Sequence, residues 1–124
     1  MADPRHALGS AAEAVVGEWL EACGWRIVGR RVRSAEGGEV DLVAIDRDDV
    51  LVAIEVRARR STRAGAAGLS VDAGRVARLR RTLVASARAS GDVHAGLRVD
   101  LVTVEPDAVR GARAWRLARL PGIG

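Results

Sequence analysis

Apolar residues recur early in the chain at Leu8, Ala12, Val15, Val16, Trp19, Leu20 and Cys23, the spacing of a helix with one buried stripe, and Gly24 follows as a stop. From Trp25 the period shortens to two. Trp25, Ile27 and Gly29 alternate with Arg26, Val28 and Arg30, which predicts a strand reaching Val32 with a basic outer side. Beyond a loop at Ser34 to Gly38, the runs 39–45 and 50–57 are apolar enough to be central strands. Asp46-Arg47-Asp48-Asp49 between them is short enough to make the two runs a hairpin. Residues 59–69 have no period and carry several Arg, and are expected to form a mobile basic loop. Helical spacing returns over 72–89, where Val76, Leu79, Leu83, Val84 and Ala87 form the stripe to be buried, and Gly91 closes the segment. Leu97 to Val104 reads as a fourth strand and Trp115 to Leu120 as a short fifth at a sheet edge. The order αβββαβ plus a terminal strand predicts an α/β layered fold. A chain of 124 residues suits one domain, 1–124, with residues 1–7 expected to be flexible.

Two carboxylates break this apolar pattern. Asp41 lies inside Val40-Asp41-Leu42-Val43-Ala44 and Glu55 follows five apolar residues, Val50 to Ile54 being an unbroken run. A charge in such a place is costly unless it is paired, hydrogen-bonded or bound to a metal. Alternation puts Glu39 and Asp41 on one face of the second strand and Glu55 and Arg57 on one face of the third. If register joins those faces, three carboxylates and a guanidinium converge. Mg²⁺ binds through one or two carboxylates with water and substrate phosphate, so the inventory suits that ion and the hydrolysis of phosphodiesters. The competing explanation for Asp41 is an Arg partner across the sheet. Glu39, at a strand start beside glycines, reads equally as a solvated or turn-stabilising acid.

Composition narrows the partners. All twenty basic residues are Arg, with no Lys, Asn or Gln, and the net charge is +4 with a pI near 11.0. Guanidinium forks favour phosphate, which makes nucleic acid the leading partner. Arg59, Arg60, Arg63, Arg75 and Arg78 are the candidate contacts, although a merely solvated basic face explains such runs almost as well. No stretch approaches a transmembrane helix and no signal-peptide core is visible, so no membrane association is expected. A single Cys23 excludes an internal disulfide and a cysteine-rich zinc site, in keeping with a cytoplasmic protein. His6 and His94 lack the spacing of a metal motif, and Trp19, Trp25 and Trp115 read as core. Asp100 faces away from Val99 and Leu101, where a structural pairing with an Arg is the simpler reading.

The run Gly38-Glu39-Val40-Asp41-Leu42-Val43, followed by Ile54-Glu55-Val56-Arg57, resembles the central signature of the YraN-like endonucleases of the PD-(D/E)xK nuclease superfamily. Ala12-Glu13, the stretch from Leu20 to Ile27 and Val99-Asp100-Leu101-Val102 are similar to further parts of that family's pattern, which together cover about residues 9–104. The resemblance implies a restriction-endonuclease-like core, a central mixed sheet flanked by helices. It also implies a Mg²⁺-dependent (or Mn²⁺-dependent) endonuclease acting on DNA or branched nucleic acid. Asp41, Glu55 and the Val56 carbonyl would hold the metal, with Glu13 a further ligand or supporting acid and Glu39 helping to position the site. The superfamily lysine falls on Arg57. Arg stays protonated, so it can orient or stabilise charge but cannot act as a base. The alternative is therefore a catalytically silent nucleic-acid-binding module of the same fold. By analogy with small nucleases, a homodimer would address two strands.

Overall fold

A computed structural model describes residues 4–35, 38–59, 71–91, 93–107, 110 and 114–123. Helix α1 (Pro4–Ala22) is followed by β1 (Arg26–Arg33), β2 (Glu39–Ile45) and β3 (Val50–Ala58), then α2 (Ala73–Ser90), β4 (Gly96–Pro106) and β5 (Trp115–Leu120). The five strands form one sheet in chain order, antiparallel except for the parallel pair β3 and β4. A parallel neighbour needs a crossover, and α2 supplies it. The helices cover opposite faces. Ala12, Val16 and Leu20 of α1 pack on Leu42, Ala44, Val52, Ile54, Val102 and Val104. Leu79 and Leu83 of α2 pack on Val40, Val43, Ile45, Leu51, Ala53 and Val99. This α/β fold, a mixed sheet flanked by helices, is consistent with the restriction-endonuclease-like core expected from the sequence.

Local chemistry accounts for the element ends. Asp46 Oδ1 accepts from the N–H groups of Asp48 and Val50 at 2.8 and 3.0 Å, which closes the β2–β3 hairpin. Asp72 caps α2 by accepting the Arg75 N–H at 2.9 Å, and Gly91 at φ 67° ends it in the left-handed conformation. The first helix begins at Pro4, ahead of the Leu8 start that its apolar stripe suggested. All three Trp pack partly buried against the α1-side core, as the pattern predicted.

Two departures from simple alternation matter. In β1 the register jumps from Ile27 opposite Ala44 to Gly29 opposite Val43, so Val28 is an extra residue and Gly29 leaves the face that Ile27 occupies. In β2, Val40 joins the α2-side core while Leu42 joins the α1-side core, although residues two apart normally share a face. Opposite that break stands Arg31 with φ 48°. The residue at the break is Asp41.

Asp100 settles as a structural acid. It is fully buried and accepts from Arg98 Nε at 2.8 Å, Arg119 Nη1 at 2.9 Å and the Gly122 N–H at 3.0 Å. Arg98 also reaches Asp46 at 3.0 Å, and both guanidinium groups lie over the Trp25 ring. The network ties the edge strand β5 and the hairpin turn to the sheet.

Candidate active site

The paired register of β2 and β3 runs from Ile45 opposite Leu51 to Leu42 opposite Ile54. One residue further along β2, Asp41 Oδ2 accepts the Val56 N–H at 2.8 Å, so a side chain takes over where the backbone ladder ends. In extended backbone the N–H and C=O of one residue leave on the same edge, so the Val56 carbonyl faces the same gap. Burial raises the Asp41 carboxyl from 3.8 to about 6. The Val56 N–H opposes that rise, the negative charges of Glu55 and Glu13 add to it, and Arg75 counters it in part.

Glu55 is buried at 6 % exposure. Its Oε1 accepts from Arg75 Nη2 at 2.7 Å, while Oε2 is buried with no hydrogen-bond partner among the described residues. Buried carboxylate oxygens are rarely left so, because an unmet acceptor costs about 1–3 kcal/mol. The bond to Glu55 is also the chief reason Arg75 is held further toward its charged form, with Asp41 and Asp72 adding to it. Glu13 stands on α1 with its Oε2 accepting from Arg31 Nε at 3.2 Å, and the same guanidinium donates to Ser10 Oγ at 2.9 Å. The left-handed backbone at Arg31 thus serves the acid that lies near Asp41.

The structure brings together Asp41, Glu55 and the Val56 backbone, with Glu13 close enough to act on Asp41. It does not bring Glu39 to them. That carboxylate is exposed and paired with Arg33 at 3.0 Å, because the break in β2 cancels the shared face that strict alternation gave Glu39 and Asp41. Arg57 follows Glu55 by two on β3 and is half-buried, but the guanidinium seen on Glu55 belongs to Arg75. Arg59 continues the sheet through its N–H, which donates to the Val104 carbonyl at 2.8 Å. Arg78 is exposed and borders a recess of about 70 Å³ with Arg81, Thr82 and Ser34. Arg60, Arg63 and most of the basic loop at 59–69 lie outside the described residues. Nothing in the sequence distinguishes Arg75 from its neighbours on α2 as a partner of Glu55; only the crossover places it there.

Among the described residues no three His, Cys, Asp or Glu side chains close a metal site unaided. The donor set still fits a hard divalent ion of the Mg²⁺ kind, which needs only one or two carboxylates and takes its other oxygens from backbone, water and substrate. Asp41 and Glu55 could supply those carboxylates, and Glu55 Oε2 is an oxygen without a partner among the described residues.

The sequence model of the uncharacterised protein family UPF0102 matches residues 12–104. The chain belongs to that family. The matched span carries Glu13, Asp41, Glu55 and Arg75 and ends before β5. A UPF0102 protein of Beutenbergia cavernae is 41% identical over 121 residues, which cover 97% of this chain and 98% of the relative. One from Bordetella avium is 40% identical over 113 residues, covering 90% and 75%, and one from Symbiobacterium thermophilum is 40% identical over 99 residues, covering 80% and 82%. The UPF0102 match thus spans the chain from the middle of α1 through most of β4, the part that carries the acids and the crossover between them. No helix among the described residues is long and apolar enough to cross a membrane.

Proposed function

We propose that this UPF0102 chain is a metal-dependent endonuclease that hydrolyses phosphodiester bonds in DNA or branched nucleic acid. The observation that carries the reading is the meeting of Asp41 and Glu55 at the open end of the β2–β3 ladder, with one buried carboxylate oxygen unpartnered among the described residues. The resemblance of both motifs to the PD-(D/E)xK signature supports it, as does the pI near 11.0. Asp41, Glu55 and the Val56 carbonyl would hold Mg²⁺ or Mn²⁺, with Glu13 beside them. Bound there, the ion would supply Lewis acidity for the hydrolysis of a phosphodiester.

The remaining work falls to the protein. Asp41 must be ionised to bind a cation, and the Val56 N–H favours that form against burial. Arg57 and Arg75 are permanently charged and can stabilise the extra negative charge of a phosphorane, but neither can take a proton from water at neutral pH. Basic residues of α2, Arg78 among them, would meet the phosphate backbone. A cytoplasmic location and a homodimer addressing two strands go with this reading.

The test is cleavage of linear, nicked and branched DNA with Mg²⁺ or Mn²⁺. Asp41→Ala should abolish metal-dependent cleavage while leaving a folded protein, and Arg57→Lys should raise the rate if that position still serves the reaction. Full cleavage by Asp41→Ala would sink the assignment. One observation favours the second reading, a silent nucleic-acid-binding module: Arg75 already neutralises Glu55 at 2.7 Å. Binding of DNA by wild type without cleavage by wild type or Arg57→Lys would establish that reading instead.

A further inference from the structure

Arg75 sits on the first turn of α2, where Asp72 caps its backbone N–H, so its position on the helix does not depend on its side chain. That side chain is 45% exposed, yet its Nη2 reaches inward to a carboxylate only 8% exposed. A buried Glu55 beside Asp41 needs a counter-charge, and Arg75 is the cation that the described structure places on it. The contact is a short charge-assisted bond to one carboxylate oxygen, with the other left unpartnered among the described residues.

We propose that Arg75 is a latch on the metal site, holding Glu55 while no ion is bound and competing with a divalent cation for that carboxylate. The inference rests on the metal-site reading above and adds a direction to it. A guanidinium against Glu55 both occupies Oε1 and repels an incoming cation, since like charges at close range in a partly buried site are screened poorly. With 45% of the side chain exposed, the guanidinium can swing outward without disturbing α2, whose cap is the Arg75 backbone N–H on Asp72 Oδ1. Arg75 is therefore a positioning residue for Glu55, and removing it should tighten metal binding. A residue that merely oriented Glu55 toward the ion would have the opposite effect, because its loss would free the ligand to wander. The sign separates the two.

Calorimetric titration of Mn²⁺ into the full chain, without nucleic acid, reads that sign. Arg75→Gln should lower the apparent Kd on the order of tenfold, the scale of one charge-assisted hydrogen bond given up. Arg75→Lys keeps the charge and should stay within about threefold of wild type. An unchanged or weakened affinity in Arg75→Gln overturns the latch while leaving the metal site standing. Absence of Mn²⁺ binding in every protein, wild type included, would overturn the metal site and the latch with it. The wild type gives a measurement that needs no variant to fold: in a titration with diamagnetic Mg²⁺, the NMR signal of the Arg75 guanidinium should move with the same midpoint as ion binding. A signal that stays fixed through saturation also overturns the latch.

Discussion

Replacing Asp41 by Asn isolates the energetic cost of the candidate site. The side chain keeps an oxygen to accept the Val56 N–H, now at 2.8 Å, loses the charge, and carries an NH₂ donor in place of the second oxygen. In wild type the unfolded carboxyl releases its proton near 3.8 and the folded one near 6. Between those values the folded protein holds more protons than the unfolded one, so wild-type stability falls as pH rises through the window and stays at the lower level above it. The shift corresponds to about 3 kcal/mol at pH 7.5, and partial access of water to the group brings the expectation to about 2–3 kcal/mol. Asp41→Asn escapes that fall. Urea unfolding in EDTA should therefore give the two proteins similar stability near pH 4, with the variant about 2–3 kcal/mol more stable at pH 7.5. For a domain of 124 residues that is a gain of about 10 °C in Tm. Other carboxylates titrate in both proteins and largely cancel in the difference. A gap that is constant from pH 4 to 7.5, or that narrows as pH rises, would refute the argument that burial and neighbouring acids strain Asp41.

Two further expectations concern the scaffold. Asp100→Ala strands the guanidinium groups of Arg98 and Arg119 and the Gly122 N–H around a fully buried vacancy, and chemical denaturation should show a loss of about 3 kcal/mol or more. A loss under about 1 kcal/mol would mean that water satisfies those groups unaided. Asp72→Ala removes the α2 cap and should cost about 1 kcal/mol, while Asp72→Asn, which can still accept the Arg75 N–H, should stay within a few tenths. Equal losses in the two variants would show that charge at the helix start, rather than the cap bond, is what counts.

The α1 stripe as far as Leu20, the β2–β3 hairpin, the helix between its caps Asp72 and Gly91 and the edge position of β5 were all legible in the sequence, whereas Cys23, placed on the stripe, is exposed beyond the end of α1. Each is set by local periodicity or by a residue at a turn or cap, and those forces act between near neighbours in the chain. Asp41 and Glu55 were legible for a related reason: a carboxylate inside an apolar strand has no cheap resting place, so its need for a partner is written into its surroundings.

Which partner each acid takes was decided only by tertiary structure. Strict alternation joined Glu39 to Asp41, but the break in β2, facing the left-handed Arg31, sends Val40 and Leu42 to opposite layers and leaves Glu39 with Arg33. The parallel pairing of β3 with β4 requires α2 to cross the sheet, and that crossover delivers Arg75 to Glu55, twenty residues away along the chain. Twenty Arg offered too many equivalent guanidinium groups for sequence to choose among. Composition and periodicity determine that charges must be compensated and which segments are buried; the distances between segments far apart in the chain determine which charge compensates which.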